Sequence, residues 1–180
     1  MTIEVLNTER LVLRSIQDSD LDILHERIFS DAEVMAQAFE GKVFSRPDSL
    51  YFVANYLDHD GNGKQPGVLI LKDSGNVIGF AGLLKCTALE REDYEIGFVL
   101  ARNYWGKGYA TEIGKAQIEY GLKVVGCERL LALVTPGNHA SRSVLQKIGM
   151  RYHSTVDAMY RGEREVFISA NLEERQPTQS

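Results

Sequence analysis

The sequence predicts a single α+β (mixed α/β) domain built on one sheet, and three observations point to it. Apolar residues recur at helical spacing up to Leu57, the period changes to that of strands at Gly67, and from Tyr94 onward strand and helix patterns alternate. A chain of 180 residues suits one compact core and is short for two.

Taken in order, Leu11-Val12-Leu13-Arg14 reads as a first strand. Asp18-Ser19-Asp20 then offers helix caps, ahead of Leu21, Ile23, Leu24, Ile28 and Phe29 on one apolar face. Ser30-Asp31 caps a second short helix through Ala32–Phe39, and Asp48 caps a third that carries Leu50, Val53, Ala54 and Leu57. Asp60-Gly61-Asn62-Gly63 is a turn. Gly67–Leu71 and Val77–Leu84 are strands joined by the hairpin turn Asp73-Ser74-Gly75-Asn76. Tyr94–Leu100 is the fourth strand, followed by a glycine loop and a helix ending near Gly126. Leu130–Val134 is the fifth strand, Pro136-Gly137-Asn138 turns into a helix carrying Val144, Leu145 and Ile148, and Gly149 stops it. Met150–Thr155 and Val166–Ala170 close the list of strands, so the domain covers 1–172 and the polar segment 173–180, with Pro177, is a frayed tail.

Composition narrows the function. Hydrophobic residues make up 44% and charged residues 25%, as in ordinary globular proteins, and the net charge of -5 gives no overall footprint for nucleic acid. The opening residues lack a basic region followed by an apolar run, and no apolar run approaches the ~20 residues that span a bilayer. A cytoplasmic protein without membrane attachment is the expectation. Cys86 and Cys127 have no metal-ligand spacing and read as reduced thiols.

The informative stretch is Tyr104-Trp105-Gly106-Lys107-Gly108-Tyr109-Ala110-Thr111, between a buried strand and a helix start. Consecutive N–H groups at the positive end of a helix dipole bind anions, and glycines let a phosphate approach the main chain. Lys107 adds a cation at the rim.

Four ordered motifs carry a resemblance: Glu95-Ile96-Gly97-Phe98-Val99-Leu100, Trp105–Glu112, Asn138-His139-Ala140-Ser141, and Lys147-Ile148-Gly149-Met150. Over nearly the whole chain they resemble the GNAT N-acetyltransferases. The opening Thr8–Arg14 is similar to the branch holding the ribosomal-protein N-terminal serine and alanine acetyltransferases. The resemblance implies a mostly antiparallel sheet of six to seven strands, splayed between the fourth and fifth and flanked by helices. It implies an enzyme that moves the acetyl group of acetyl-CoA to a primary amine by direct attack in a ternary complex, without a metal, as a monomer or homodimer. The acceptor would be a protein N-terminal α-amino group or a small amine. A non-catalytic acyl-CoA-binding module of the same fold is the alternative. A Rossmann-type nucleotide domain is disfavoured, because no Gly-x-Gly-x-x-Gly follows the first strand.

The resemblance also implies residue roles. The amides of Gly106, Lys107, Gly108, Tyr109, Ala110 and Thr111 would hold the pyrophosphate. Phe98, Val99 and Leu100 would pair with the peptide-like pantetheine, as a peptide adds to a strand edge, with Asn138 holding the same arm. Ser143 would touch the cofactor, with Arg142 and Lys147 as weaker candidates. Trp105, counted among the cofactor-binding residues, stands where the family usually has glutamine or arginine, and Leu145 where many members have a tyrosine that protonates the departing thiolate.

Glu95 is the candidate general base, since a carboxylate beside a desolvated slot is suited to take an ammonium proton. Its other reading is a strand-end carboxylate paired with an Arg or Lys. Ser141 is the candidate acid, or simply a cap of its helix. The N–H of Phe98 or Val99 would polarise the thioester carbonyl. The four histidines, and Tyr104, Tyr109 and Tyr152, read as structural. Met35, Phe39, Phe44 and Tyr51 would cover the sheet and shape the acceptor entrance.

Overall fold

A computed structural model describes residues 1–170; the tail expected over 173–180 lies outside the described residues. One eight-stranded sheet runs in the order β1-β2-β3-β4-β5-β6-β8-β7. Its strands are β1 (Glu4–Asn7), β2 (Leu11–Arg14), β3 (Gly67–Leu71), β4 (Val77–Cys86), β5 (Asp93–Leu100), β6 (Arg129–Val134), β7 (Arg151–Ala158) and β8 (Gly162–Ala170). The helices are α1 (Asp20–Leu24), α2 (Ala32–Met35), α3 (Arg46–Tyr56), α4 (Tyr109–Glu119) and α5 (His139–Lys147). Every strand pair is antiparallel except β5 with β6. The expected α+β class and antiparallel character hold, and the strand number is eight rather than six to seven. The added strand is β1, an edge strand paired to β2.

The two faces of the sheet are covered by different helices. On one, α1 to α3 bury Leu24, Ile28, Phe29, Met35, Val53 and Leu57 against Val68 and Phe80. On the other, α4 buries Ile113 against Leu11, Leu69 and Ile78, and α5 buries Leu145 against Leu83, Ile96 and Leu130.

Several local expectations shift. The first helix widens into a π turn at His25–Phe29, which brings Ile28 and Phe29 together into the core. Its N-cap is Ser19, within the expected Asp18–Asp20 but without a side-chain capping bond, while Asp20 is buried and accepts two hydrogen bonds from Arg14, at 2.7 and 2.9 Å. The second helix ends at Met35 rather than Phe39. The cap of α3 is Ser45, in a capping box with Asp48, so Asp48 sits one turn inside. Consequently Leu50 and Ala54 face solvent, and Tyr51 is exposed rather than lining an entrance. The turn at Asp60–Gly63 is organised by Asp58, whose buried carboxylate accepts the N–H groups of Asp60, Gly61, Asn62 and Gly63.

The feature that positions the site is the junction of β5 and β6. At its closed end Arg129 donates Nε and Nη2 to the buried Asp93, at 2.9 and 2.8 Å. Parallel pairing follows at Tyr94–Leu130 and Glu95–Leu131, and then stops. Beyond it, the side chain of Gln117 from α4 bonds both backbone groups of Gly97, accepting from N–H at 3.3 Å and donating to C=O at 3.1 Å. Gln117 is 1% exposed. A side-chain amide thus takes the bonds the next strand would have made, and the two strands part, as the resemblance implied.

Candidate active site

A cavity of about 940 Å³ occupies the gap, lined on its two strand edges by Ile96–Val99 and Ala132–Val134. Its further walls come from Phe39, Phe52 and Phe80 on the α1–α3 face, from Asn138, Ser141 and Leu145 of the α5 region, and from the β7–β8 turn.

The glycine loop leads to the same strand. β5 ends at Leu100, a 3-10 turn follows at Arg102–Tyr104, and Trp105 donates its indole Nε1–H to the Leu100 carbonyl at 2.8 Å. Gly106 and Gly108 have φ of 71° and 82°, a left-handed backbone that favours glycine. The first helical hydrogen bond of α4 runs from Glu112 N–H to Gly108 C=O. Among the described residues none of the amides from Gly106 to Thr111 finds an acceptor within the chain. They form a row of free donors at the start of an 11-residue helix.

Arg10 and Glu112, which sequence reasoning missed, fix this loop. Glu112 accepts from Thr8 Oγ1, Arg10 N–H and Arg10 Nε, each at 2.7 Å, while Arg10 Nη1 donates to the Lys107 carbonyl at 2.9 Å. Burial works to raise the Glu112 carboxyl, but the hydrogen bonds from Thr8 and Arg10 outweigh it and hold the group below its ordinary value. The Arg10 guanidinium lies over the Tyr109 ring, leaving a cation beside the free amides.

The other sequence-derived candidates divide. Phe98 and Val99 line the cavity, whereas Leu100 packs in the core and its carbonyl is occupied by Trp105. Asn138 is the N-cap of α5: its Oδ1 accepts the Ser141 N–H at 3.1 Å, and its Nδ2 bonds no described residue. The cap is therefore Asn138, and the Ser141 hydroxyl stays without a partner among the described residues, one helical turn before Leu145 on the same face. Lys107 and Ser143 are exposed and outside the cavity wall.

Glu95 is 4% exposed in the wall of the cavity, and Arg161 Nη1 donates to both of its oxygens, at 2.9 and 3.1 Å. The pairing partner allowed for in the sequence is thus present, supplied by a turn 66 residues away. Cys86 is buried nearby; burial first, then the Glu95 charge, push its thiol up to about 12, so it is neutral and unreactive at physiological pH.

Tyr104 and Tyr109 pack near the loop and Tyr152 against Phe167, while the cavity is lined by Tyr56, Tyr94 and Tyr160. His25 bonds Ser49, His59 the Val53 carbonyl, and His153 Ser154. Among the described residues no group of three or more His, Cys, Asp or Glu side chains could hold a metal ion.

Comparison with known proteins is consistent in family. The acetyltransferase (GNAT) domain matches residues 10–151. The uncharacterized N-acetyltransferase YnaD of Bacillus subtilis is 36% identical over 146 residues, covering 81% of this chain and 82% of that protein. The spermidine N(1)-acetyltransferase of Escherichia coli is 25% identical, covering 76% and 70%. Among solved structures, a GNAT acetyltransferase from Bacillus anthracis superposes with a TM-score of 0.77 at 28% identity, covering 93% and 98%. The ribosomal-protein branch suggested by the opening residues is a more distant neighbour: the ribosomal-protein-S5-alanine acetyltransferase of Vibrio fischeri has a TM-score of 0.69 at 18% identity, covering 97% and 100%. The splayed sheet, the free amides and the family match converge: this chain belongs to the GNAT acetyltransferase family and is an acetyl-transferring enzyme.

Proposed function

We propose that this chain transfers the acetyl group of acetyl-CoA to a primary amine by direct attack within the splay of β5 and β6. The row of free amides from Gly106 to Thr111, leading onto the unpaired edge of β5, is the observation that carries the reading. These amides, with Arg10 at the rim, suit a pyrophosphate. The exposed edge past Gly97 suits the amide-bearing pantetheine arm, and the free Nδ2 of Asn138 gives that arm a donor. Holding thioester and amine in one slot supplies a large part of the rate enhancement.

Glu95 is the base in this reading. One nitrogen of Arg161 spans both its oxygens, so each keeps a lone pair for an ammonium proton. The amine nitrogen bonds the acetyl carbon, a backbone N–H of Phe98 or Val99 stabilises the carbonyl oxygen, and the carbon–sulfur bond breaks. The proton that the attacking nitrogen sheds as it becomes an amide passes through the Ser141 hydroxyl to the leaving thiolate, a role Leu145 cannot fill. The acceptor in this reading is one of the kinds anticipated from sequence, a peptide N-terminus or a small amine, entering through the cavity.

The test is thiol release from acetyl-CoA with and without amines. The wild type should release thiol in an amine-dependent way, and Glu95→Gln should lower kcat at least 100-fold, on the order of a lost general base, while still binding acetyl-CoA. Retained kcat would assign Glu95 to a structural pair with Arg161.

A further inference from the structure

The acceptor side of the cavity carries a charge pattern that the chain as a whole does not. The protein has a net charge of -5, yet the ionisable residues of the cavity wall are Lys64, Lys85, Arg161 and Arg164 against Glu40 and Glu95. Lys85 is tied to Glu92, and Lys64 and Glu40 lie at the exposed rim. What remains inside is Glu95 with two guanidinium groups.

Arg161 gives Nη1 to Glu95, but its Nε is buried without a partner and its Nη2 bonds no described residue. The Arg161 side chain is 32% exposed, so part of it stays accessible. Arg164, 7% exposed, has no carboxylate partner among the described residues: Nη1 donates to the Glu163 carbonyl at 2.8 Å and Nη2 to the Phe39 carbonyl. Burial first, and the charge of Arg161 second, lower its guanidinium from the ordinary value. The neighbouring Cys86 thiol, pushed up to about 12, adds no negative charge at neutral pH. Of these two buried or half-buried cations only Arg161 has a carboxylate, leaving Arg164 unmatched, and an unmatched charge in a poorly solvated place is costly unless an anion completes it.

We propose that the acceptor is an amine that also carries an anionic group, a carboxylate or its equivalent, and that this group docks on Arg161 and Arg164 while the amine reaches the splay past Glu95. The proposal rests on the N-acetyltransferase reading and deepens it. A polyamine would place its second ammonium against two guanidinium groups, which disfavours it. An arginine fork matches the two oxygens of a carboxylate, and a free amino acid or a peptide with an acidic residue after its N-terminus would both supply one.

The experiment compares acceptors of equal length: 5-aminopentanoate, pentylamine and 1,5-diaminopentane, with Ser-Asp-amide and Ser-Lys-amide to separate free from peptide sources. Both kcat/KM and direct binding to the CoA-loaded protein are measured. The carboxylate-bearing member of one series should lead its uncharged or cationic counterpart by about tenfold or more, the worth of one charge-assisted hydrogen bond. Arg164→Gln should erase that preference and Arg164→Lys, which keeps the charge, should retain much of it. Equal or tighter binding of the diamine and of Ser-Lys-amide, or no binding of any compound, would overturn the proposal. Preferential binding of the carboxylate compounds without turnover would support it and count instead against amine acetylation.

Discussion

Gln117→Leu tests what holds the two central strands apart. In the wild type the Gln117 amide satisfies both backbone groups of Gly97, at 3.3 and 3.1 Å, from a position 1% exposed. Leucine has similar bulk but leaves an N–H and a C=O unpaired. A buried unsatisfied polar group costs about 1–3 kcal/mol, and half-buried Gly97 places each group near the low end, so the pair loses roughly 2–3 kcal/mol. Apolar burial of the leucine offsets about 1 kcal/mol of this. A net loss of about 1–2 kcal/mol lowers Tm by roughly 2–8 °C for a chain of this size. Because Gly97 begins the edge that the acetyl-CoA arm is proposed to use, KM for acetyl-CoA should rise about 3- to 10-fold, the equivalent of about 1 kcal/mol. Gln117→Glu keeps the shape and can accept from Gly97 N–H, but as an anion it buries an unpaired charge against the Gly97 carbonyl, and near neutral pH should destabilise at least as much as leucine. Urea unfolding and initial rates at varied acetyl-CoA measure both effects. A leucine variant within about 0.5 kcal/mol of wild type, with unchanged KM, would refute this account of the splay, since changes that small are ordinary for substitutions free of such features.

Two further perturbations address the loop and the closed end of the splay. Gly108 has φ of 82°, and a Cβ there would come within 3.3 Å of Arg10 Nη2, so Gly108→Ala should cost about 1–2 kcal/mol in stability and raise KM for acetyl-CoA. Unchanged values in thermal melts and initial rates would contradict that reading. Asp93 is held below the ordinary carboxylate value chiefly by the Arg129 hydrogen bonds, burial opposing and Arg91 adding to them. The unfolded chain therefore binds this proton more readily than the folded one. The stabilisation is present in full above about pH 4 and is lost as pH falls through the folded-state value. Glu112, also held low, acts in the same direction. Asp93→Asn should cost about 3 kcal/mol near neutral pH, as for a broken buried pair, and should flatten the acid limb of a stability–pH profile. An unaltered profile would be evidence against it.

Local chemistry made much of this architecture legible. The glycine loop was readable because strand, positive-φ glycines and helix start are contiguous, from Glu95 to Glu112. Asn138 was readable as a helix start for the same reason, although the capping role had been weighed for Ser141. What escaped depends on distant partners. Arg10 meets Glu112 across 102 residues and Arg161 meets Glu95 across 66, and no spacing along the chain signals either pair. Gln117 lies on the buried face of α4, one turn after Ile113, where a polar side chain gives no apolar signal, and only the parting of β5 from β6 gives its amide a purpose. The edge strand β1 lacked a strong alternation, being exposed at both ends. In α3 the expected Val53 and Leu57 are buried, but Ser49 and half-buried Phe52 take the inner positions expected for Leu50 and Ala54. In the first helix the expected face of Leu21, Ile23, Leu24, Ile28 and Phe29 does pack in one cluster, and what the spacing did not signal was the π turn at His25–Phe29.

Amide hydrogen exchange with and without acetyl-CoA tests the central claim most directly, because it reads the backbone donors on which the site was assigned. The account predicts that acetyl-CoA slows exchange at Gly106–Thr111 and along the edge of β5 past Gly97, at Phe98 and Val99, and leaves the β1–β2 edge unchanged. Saturating acetyl-CoA with no added protection in either segment, or with protection confined to another part of the molecule, would contradict it.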